Sequence, residues 1–324
     1  MRTRRRLFII TVIGAILVLA GCATGRSDDP GGPGSVRIDH ALGSAQVGAN
    51  PVRVVTLGAA DTQIATALGA QVVGAVRNPS SPDGNWPGVR PALSPAVTVL
   101  DSVRPDVTSI AALHPDLILA TTAQSGYHDV YDRLSRIAPT IAYFDAPLRD
   151  PGEKLVDQIG RALGRSEQAA VLRERSDRAI DEFTRRHAAS RAQRVAFGQF
   201  SAGTTYLMAD PESQGARFFS RLGLRIPSAI ADMRDAGGAG AALDMVTASQ
   251  EELGVLGSAD VGLISVFGGA PRQFTDIVTV SSTSLARSGR LHVIPVDLAA
   301  VLLQPNPATT DYALSGLRPY LTGS

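Results

Sequence analysis

The residues able to do chemistry are sparse in this chain. Five histidines, His40, His114, His128, His187 and His292, stand singly along 324 residues. None forms the i,i+4 or H-x-H pair that sets two imidazoles on one ion, so the sequence predicts no histidine-rich zinc or manganese centre. The run Gly198-Gln-Phe-Ser-Ala-Gly203 outlines a nucleophile elbow around Ser201. It lacks the glycine two residues before the serine, and no histidine is convincingly placed downstream, so a serine hydrolase is the weaker reading. Gly237-Gly-Ala-Gly240 has no Lys-Ser/Thr to grip a phosphate and does not directly follow a strand, so it reads as a loop. These features favour binding over catalysis, and no cofactor is expected.

The single cysteine, Cys22, is better explained by its position. Arg2, Arg4, Arg5 and Arg6 precede an apolar run from Leu7 to Ala20 that ends in small residues, the layout of an export signal. The run falls short of the ~20 residues that a membrane-crossing helix needs. Leu19-Ala-Gly-Cys22 is similar to the bacterial lipobox, which implies that residues 1–21 are cleaved and that Cys22 carries lipid at the cell membrane's outer face. With no second cysteine there is no internal disulfide, so stability must come from core burial. Residues 22–35 are rich in Gly, Pro, Ser and Asp, too polar to offset the entropy of ordering, and read as a tether.

Formal net charge is +1, with acids and bases interspersed, which points away from nucleic acid. The body of about 300 residues is long enough for two lobes of ordinary domain size.

Functional side chains must be held by elements, and from Val52 onward short β-branched runs alternate with helical ones. Val52 to Leu57, Val72 to Val76, Asp116 to Thr121 and Thr140 to Phe144 read as strands; Asp61 to Leu68, Asp106 to Leu113 and Asp129 to Ile137 read as helices. Such alternation predicts an α/β fold with an open parallel sheet covered on both faces. Ala67-Leu-Gly69 reappears as Arg221-Leu-Gly223, and the run from Ile110 to Leu119 has a counterpart from Leu253 to Ile264. These offsets of about 150 residues suggest two lobes on one plan. Between them, Glu167 to His187 carries an apolar stripe and predicts one helix of about 30 Å, long enough to run from lobe to lobe. The expected organisation is a first lobe at 36–150, a connecting helical segment at 151–190 and a second lobe at 191–324.

Open α/β sheets bind ligands just past the carboxyl ends of their strands. In the first lobe this rule selects Gly58 to Asp61, the Asn78 to Pro91 loop with Trp86 and Arg90, Arg104, and Thr121 to Tyr127 with Thr122. In the second it selects Phe200 to Tyr206 and Phe267 to Arg272. Trp86 is the only tryptophan, and a tryptophan in a Pro/Gly-rich loop serves either as a local plug or as a ligand platform.

Taken in order, Arg53-Val-Val-Thr-Leu-Gly58, Ala67-Leu-Gly69, Pro105 to Leu119 with Pro-Asp-Leu-Ile-Leu, Ile137-Ala-Pro-Thr140, Ala162-Leu-Gly164, Ser249-Gln-Glu-Glu-Leu253, Ala259-Asp-Val261 and Ala286 to Asp297 resemble a known family. It is the periplasmic-type binding proteins of ABC importers for ferric siderophores, haem and cobalamin. The resemblance implies two doubly wound lobes joined by a single long helix, with a ligand cleft between them. It implies a monomer that binds a ferric siderophore and passes it to an ABC transporter permease. Because such a ligand brings its own metal coordination, recognition would rest on arginines and aromatics, here Trp86, Arg90, Arg104, Thr122, Tyr127, Phe200, Tyr206, Phe267 and Arg272. A haem carrier of the same fold would instead offer Tyr127, His128 or Tyr206 as axial ligand. The family's permease-docking glutamates correspond to Glu251 in the second lobe and to Thr108 in the first, where Asp106 is the nearest acid.

Overall fold

The computed structural model describes residues 34–234 and 245–321; Cys22, the export segment and Gly237–Gly240 lie outside them. A hairpin not foreseen from sequence comes first, β1 (Val36–His40) and β2 (Gly43–Val47). Its alternate residues Ile38, Ala45 and Val47 enter the first core. The first lobe then runs β3 (Val54–Thr56), α1 (Ala59–Ala67), β4 (Val72–Val76), β5 (Thr98–Leu100), α2 (Val107–Ala112), β6 (Leu117–Ala120), α3 (Ser125–His128), α4 (Tyr131–Ser135) and β7 (Thr140–Ala142). The helix expected at Asp129 to Ile137 is the shorter α4, and α3 lies in the segment expected to follow the strand. The sheet order is β5-β4-β3-β6-β7, all pairs parallel. Alternate residues of one strand feed opposite faces: Val54, Leu117 and Leu119 one core, Val55, Ile118 and Ala120 the other. That two-sided burial explains the unbroken apolar runs.

Helices α5 (Gly152–Ala162) and α6 (Ser166–Arg186) follow. Gly164, at φ +66, ends α5, a conformation that costs glycine little. The 21 residues of α6 form one unbroken helix, about 30 Å long. Ala169 and Leu172 pack with the first lobe's core, whereas Ile180 and Phe183 pack with the second's. The helix therefore braces both lobes.

The second lobe comprises β8 (Val195–Ser201), β9 (Thr204–Met208), α7 (Gln214–Arg221), α8 (Ser228–Ala231), β10 (Met245–Ala248), β11 (Val261–Phe267), α9 (Arg272–Thr275), α10 (Val278–Ser281), α11 (Ser284–Arg287), β12 (Leu291–Ile294), α12 (Val296–Leu303) and α13 (Thr310–Leu321). Its sheet order is β10-β9-β8-β11-β12. Here the expectation of a shared plan holds for one half only. β8, β11 and β12 are parallel like β3, β6 and β7, but β9 runs antiparallel to both β8 and β10. The cause is local: β8 returns at once through a tight turn at Ala202 (φ 49) and Gly203 (φ 82), too short for a crossover helix.

The shared half reuses one device. Asp116, before β6, accepts the backbone N–H groups of Val52 and Arg53 at 2.8 Å each. Asp260, before β11, accepts the N–H of Arg194 at 2.8 Å and its guanidinium at 2.7 Å. In each lobe an aspartate thus sets the start of the central strand. Gly69 (φ +76) and Gly223 (φ +80) end α1 and α7 alike, which accounts for the two Leu-Gly pairs.

Candidate functional site

The lobes meet along a polar seam. Gln63 of α1 donates to the carbonyl of Pro87 at 2.8 Å and accepts the side-chain amide of Asn306 at 2.9 Å. A Cβ at Gly88, which has φ +80, would lie 3.0 Å from the methyl of Thr309, so this glycine permits the close approach. Gln214 donates to the carbonyls of Asp150 at 2.6 Å and Leu148 at 3.2 Å. Arg149 reaches the buried carboxylate of Asp210 at 3.5 Å, which also holds Arg234 at 3.0 Å. The first lobe meets the second with segments that follow β4 and β7, as the strand-end rule requires. The second lobe meets it with residues after β9 and α12, a partner surface that sequence reasoning missed. Asp210, Gln214 and Asn306 carried no motif to single them out.

Two recesses open along this seam, on either side of the hydrogen bond between Ser176 of α6 and Thr310, 2.7 Å long. One, of about 170 Å³, is walled by Pro151, Ile180, Phe218 and Pro305 with Arg217 and Arg221 at its edge. The other, of about 440 Å³, is walled by Arg90, Arg175, Pro307, Asp311 and Tyr312. Arg90 is the one predicted ligand contact that lines a seam recess among the described residues.

The first-lobe rim is organised by Asp61, the third residue of α1, which is fully buried. Its carboxylate accepts the N–H of Thr121 at 3.1 Å, the N–H of Thr122 at 3.3 Å and the hydroxyl of Thr121. In return its own N–H donates to the Thr122 hydroxyl at 3.3 Å. Burial pushes the Asp61 carboxyl up to about 6, against the pull of those donors. A side chain at Gly58 would collide with Thr122, so glycine there lets β3's exit press against β6's. Thr122 is thereby buried inside the rim, which corrects its assignment as a ligand contact.

Tyr127 is corrected likewise. Its ring is buried in the core and its hydroxyl donates to the carbonyl of Asp101. Burial, with the charges of Asp101 and Asp106, raises its hydroxyl to about 12. Trp86 is half-buried: its indole N–H donates to the carbonyl of Val76 at 3.0 Å, and its ring packs on the core beside β4. The loop leading to it is self-bonded through Asp83, which accepts from Ser81 at 2.6 Å and from Asn85 at 2.9 and 3.0 Å. These donors draw the Asp83 carboxyl down to about 2. Arg104 is exposed and has no ion pair with a described carboxylate.

In the second lobe the predicted loop from Phe200 to Tyr206 is the β8–β9 hairpin. Phe200 is buried, its ring 5.6 Å from that of Phe274, and so is core rather than rim. Tyr206 is half-buried against the core that α6 joins. Phe267, at the end of β11, is 47% exposed, and Arg272 is exposed beyond it. Ser201 ends a strand that enters a hairpin, not the strand-to-helix turn of a nucleophile elbow, and Gly198 lies in mid-strand.

The two acids foreseen as docking points differ. Asp106 caps α2, accepting the N–H groups of Thr108 and Ser109 and the Ser109 hydroxyl at 2.6 Å, and these donors hold its carboxyl below the ordinary range. Glu251 is exposed and stands at the N-cap of the turn that follows without a side-chain capping bond; its neighbour Glu252 accepts from Ser249 instead.

Known proteins share this architecture. YhfQ of Bacillus subtilis, named for ABC transporter substrate binding and as a lipoprotein, is 24% identical over 75% of this chain and 74% of its own. YfiY of the same organism, named as a siderophore-binding lipoprotein, is 31% identical over 39% of each chain. Among solved structures, Staphylococcus aureus SirA complexed with staphyloferrin B superposes with TM-score 0.71 at 20% identity, covering 88% of this chain and 98% of that one. Streptococcus pneumoniae PiaA in complex with ferrichrome gives 0.70 at 22%, with the same coverage. The family model described as periplasmic binding protein matches residues 54–245, from β3 across the bracing helix to the start of β10, and by that match the chain belongs to the periplasmic binding protein family.

Proposed function

We propose that this protein captures a ferric siderophore outside the cytoplasmic membrane and delivers it to an ABC importer, binding without catalysis. The observation that carries the reading is family membership joined to a relative named for siderophore binding. The geometry supports it. Arg90, Arg104 and Arg272 have no ion pair with a described carboxylate, and Phe267 is open to solvent. An anionic chelate pairs with guanidinium forks and covers an aromatic face. Loss of one such arginine would weaken binding by about tenfold to a hundredfold.

Lipid on Cys22 would hold the body at the membrane's outer face; among the described residues no helix is long and apolar enough to cross it. Cys22→Ser should therefore release the folded body from the membrane fraction. Haem is the weaker cargo, because Tyr127 is withdrawn into the core and His128 is half-buried with its Nε2 3.4 Å from the carbonyl of Ala120.

The test titrates ferric hydroxamate, catecholate and carboxylate chelates against the purified body, following Trp86 emission and heat together. Binding with quenching is expected for at least one class. Heat without quenching would make Trp86 a plug remote from the ligand. A Soret band with haem, and no binding of any ferric chelate, would overturn the siderophore reading.

A further inference from the structure

The two rims of the second lobe are charged differently. On the rim where strands end, Glu251 and Glu252 follow β10 and Arg272 follows β11. On the opposite rim the segments that enter strands are studded with arginine. Arg191 and Arg194 precede β8, Arg290 precedes β12, and Arg225 pairs by backbone with Arg194. Arg185 and Arg186 close α6 and lead through a short turn into Arg191. These segments touch: the N–H of Ala192 donates to the carbonyl of Gly223 at 2.7 Å, and the Arg290 guanidinium donates to the carbonyl of Asp260 at 2.5 Å.

Among the described residues the carboxylates here are fewer and mostly spent. Asp260 pairs with Arg194 and Glu182 with Arg186, leaving Asp181 exposed. Arg185, Arg191 and Arg225 are exposed and pair with no described carboxylate. By contrast, arginines on the middle of α6 are neutralised: Arg173 by Asp157, Arg175 by Asp311 and Arg178 by Glu174. Among the described residues no large exposed hydrophobic lies on this rim; those of the second lobe are Phe267 and Val278. An arginine-rich face with no exposed apolar anchor among its described residues suits an extended anionic surface rather than an apolar pocket.

We propose that this basic rim rests on anionic phospholipid headgroups. Both curated relatives are named as lipoproteins, and a body tethered to a bilayer meets its lipid at high effective concentration. Each arginine near such a surface adds an attraction that falls off within a Debye length. The inference does not depend on the cargo.

The test uses residues 31–324, which form one compact unit holding all four cores and leave out any lipid. Cosedimentation is measured with vesicles of phosphatidylcholine alone and of phosphatidylcholine mixed with phosphatidylglycerol. Binding to the mixed vesicles only, weakened by salt, is expected. Combining Arg185→Gln, Arg191→Gln and Arg225→Gln should lower the partition by about a hundredfold, with an unchanged circular dichroism spectrum. The pair Arg133→Gln and Arg136→Gln, on exposed positions at α4, should not. Failure to sediment with anionic vesicles, equal losses for both sets of variants, or binding to a soluble polyanion but not to vesicles would each overturn the proposal.

Discussion

Asn306 donates its side-chain amide to Gln63 across the boundary between the lobes, 2.9 Å from nitrogen to oxygen, and both side chains are buried. Gln63 is simultaneously tied to Pro87, and Asn306 accepts the N–H of Ala308 at 3.0 Å. Either truncation strands a polar partner away from water. Gln63→Ala and Asn306→Ala should each cost about 1–3 kcal/mol of unfolding free energy, and the double variant should cost less than their sum. Urea denaturation of the four proteins checks this; strict additivity would show that the pair does not couple the lobes.

Asp61 should leave a pH signature. Its folded-state carboxyl is raised to about 6, so the folded protein binds a proton more readily than the unfolded chain, and this group adds stability as pH falls from 7 toward 4. The full gain is up to about 3 kcal/mol. His40, His128 and His292 work the other way: burial lowers each, so acidification through their ordinary range costs stability. The difference between wild type and Asp61→Asn isolates the carboxyl. Thermal melts from pH 7.5 to 5 should show wild type gaining on the variant; parallel curves would refute the assignment.

The aspartate at the start of the second lobe's central strand responds to acid in the opposite sense to Asp61. Asp260 is held below the ordinary carboxylate range, chiefly by the Arg194 guanidinium. Its contribution is present at neutral pH and disappears as pH falls through the depressed value. Asp260→Ala should therefore destabilise the protein at pH 7 and much less near pH 2. Guanidinium titrations at the two values decide it, with an equal loss at both as the contrary result.

Glu251 and Glu252 should separate function from folding. Glu251→Ala is expected to leave chelate affinity unchanged while slowing uptake by cells several-fold, because its exposed carboxylate has no capping bond to lose. Glu252→Ala removes the acceptor for the Ser249 N–H and hydroxyl and should lower the urea midpoint of unfolding instead. Weakened ligand binding in the purified Glu251 variant would move that residue from the docking surface to the ligand.

The lobes' alternating elements, the bracing helix and the glycine stops could be read from the residues, because they follow from local pattern: β-branched runs buried on both faces, an apolar stripe on α6, and Leu-Gly ends at Gly69 and Gly223. The local signal was silent where partners distant in sequence decide. Tyr127 and Phe200 sit where strand ends put ligand contacts, yet the fold turns both into core, since Asp101 offers a carbonyl to one and Phe274 a ring to the other. The antiparallel β9 follows from a two-residue turn whose strands carry the same buried pattern in either direction. The seam depends on residues such as Gln63 and Asn306, 243 positions apart. Amides carry no periodicity, so only tertiary packing could bring those two together and make a lobe boundary of them.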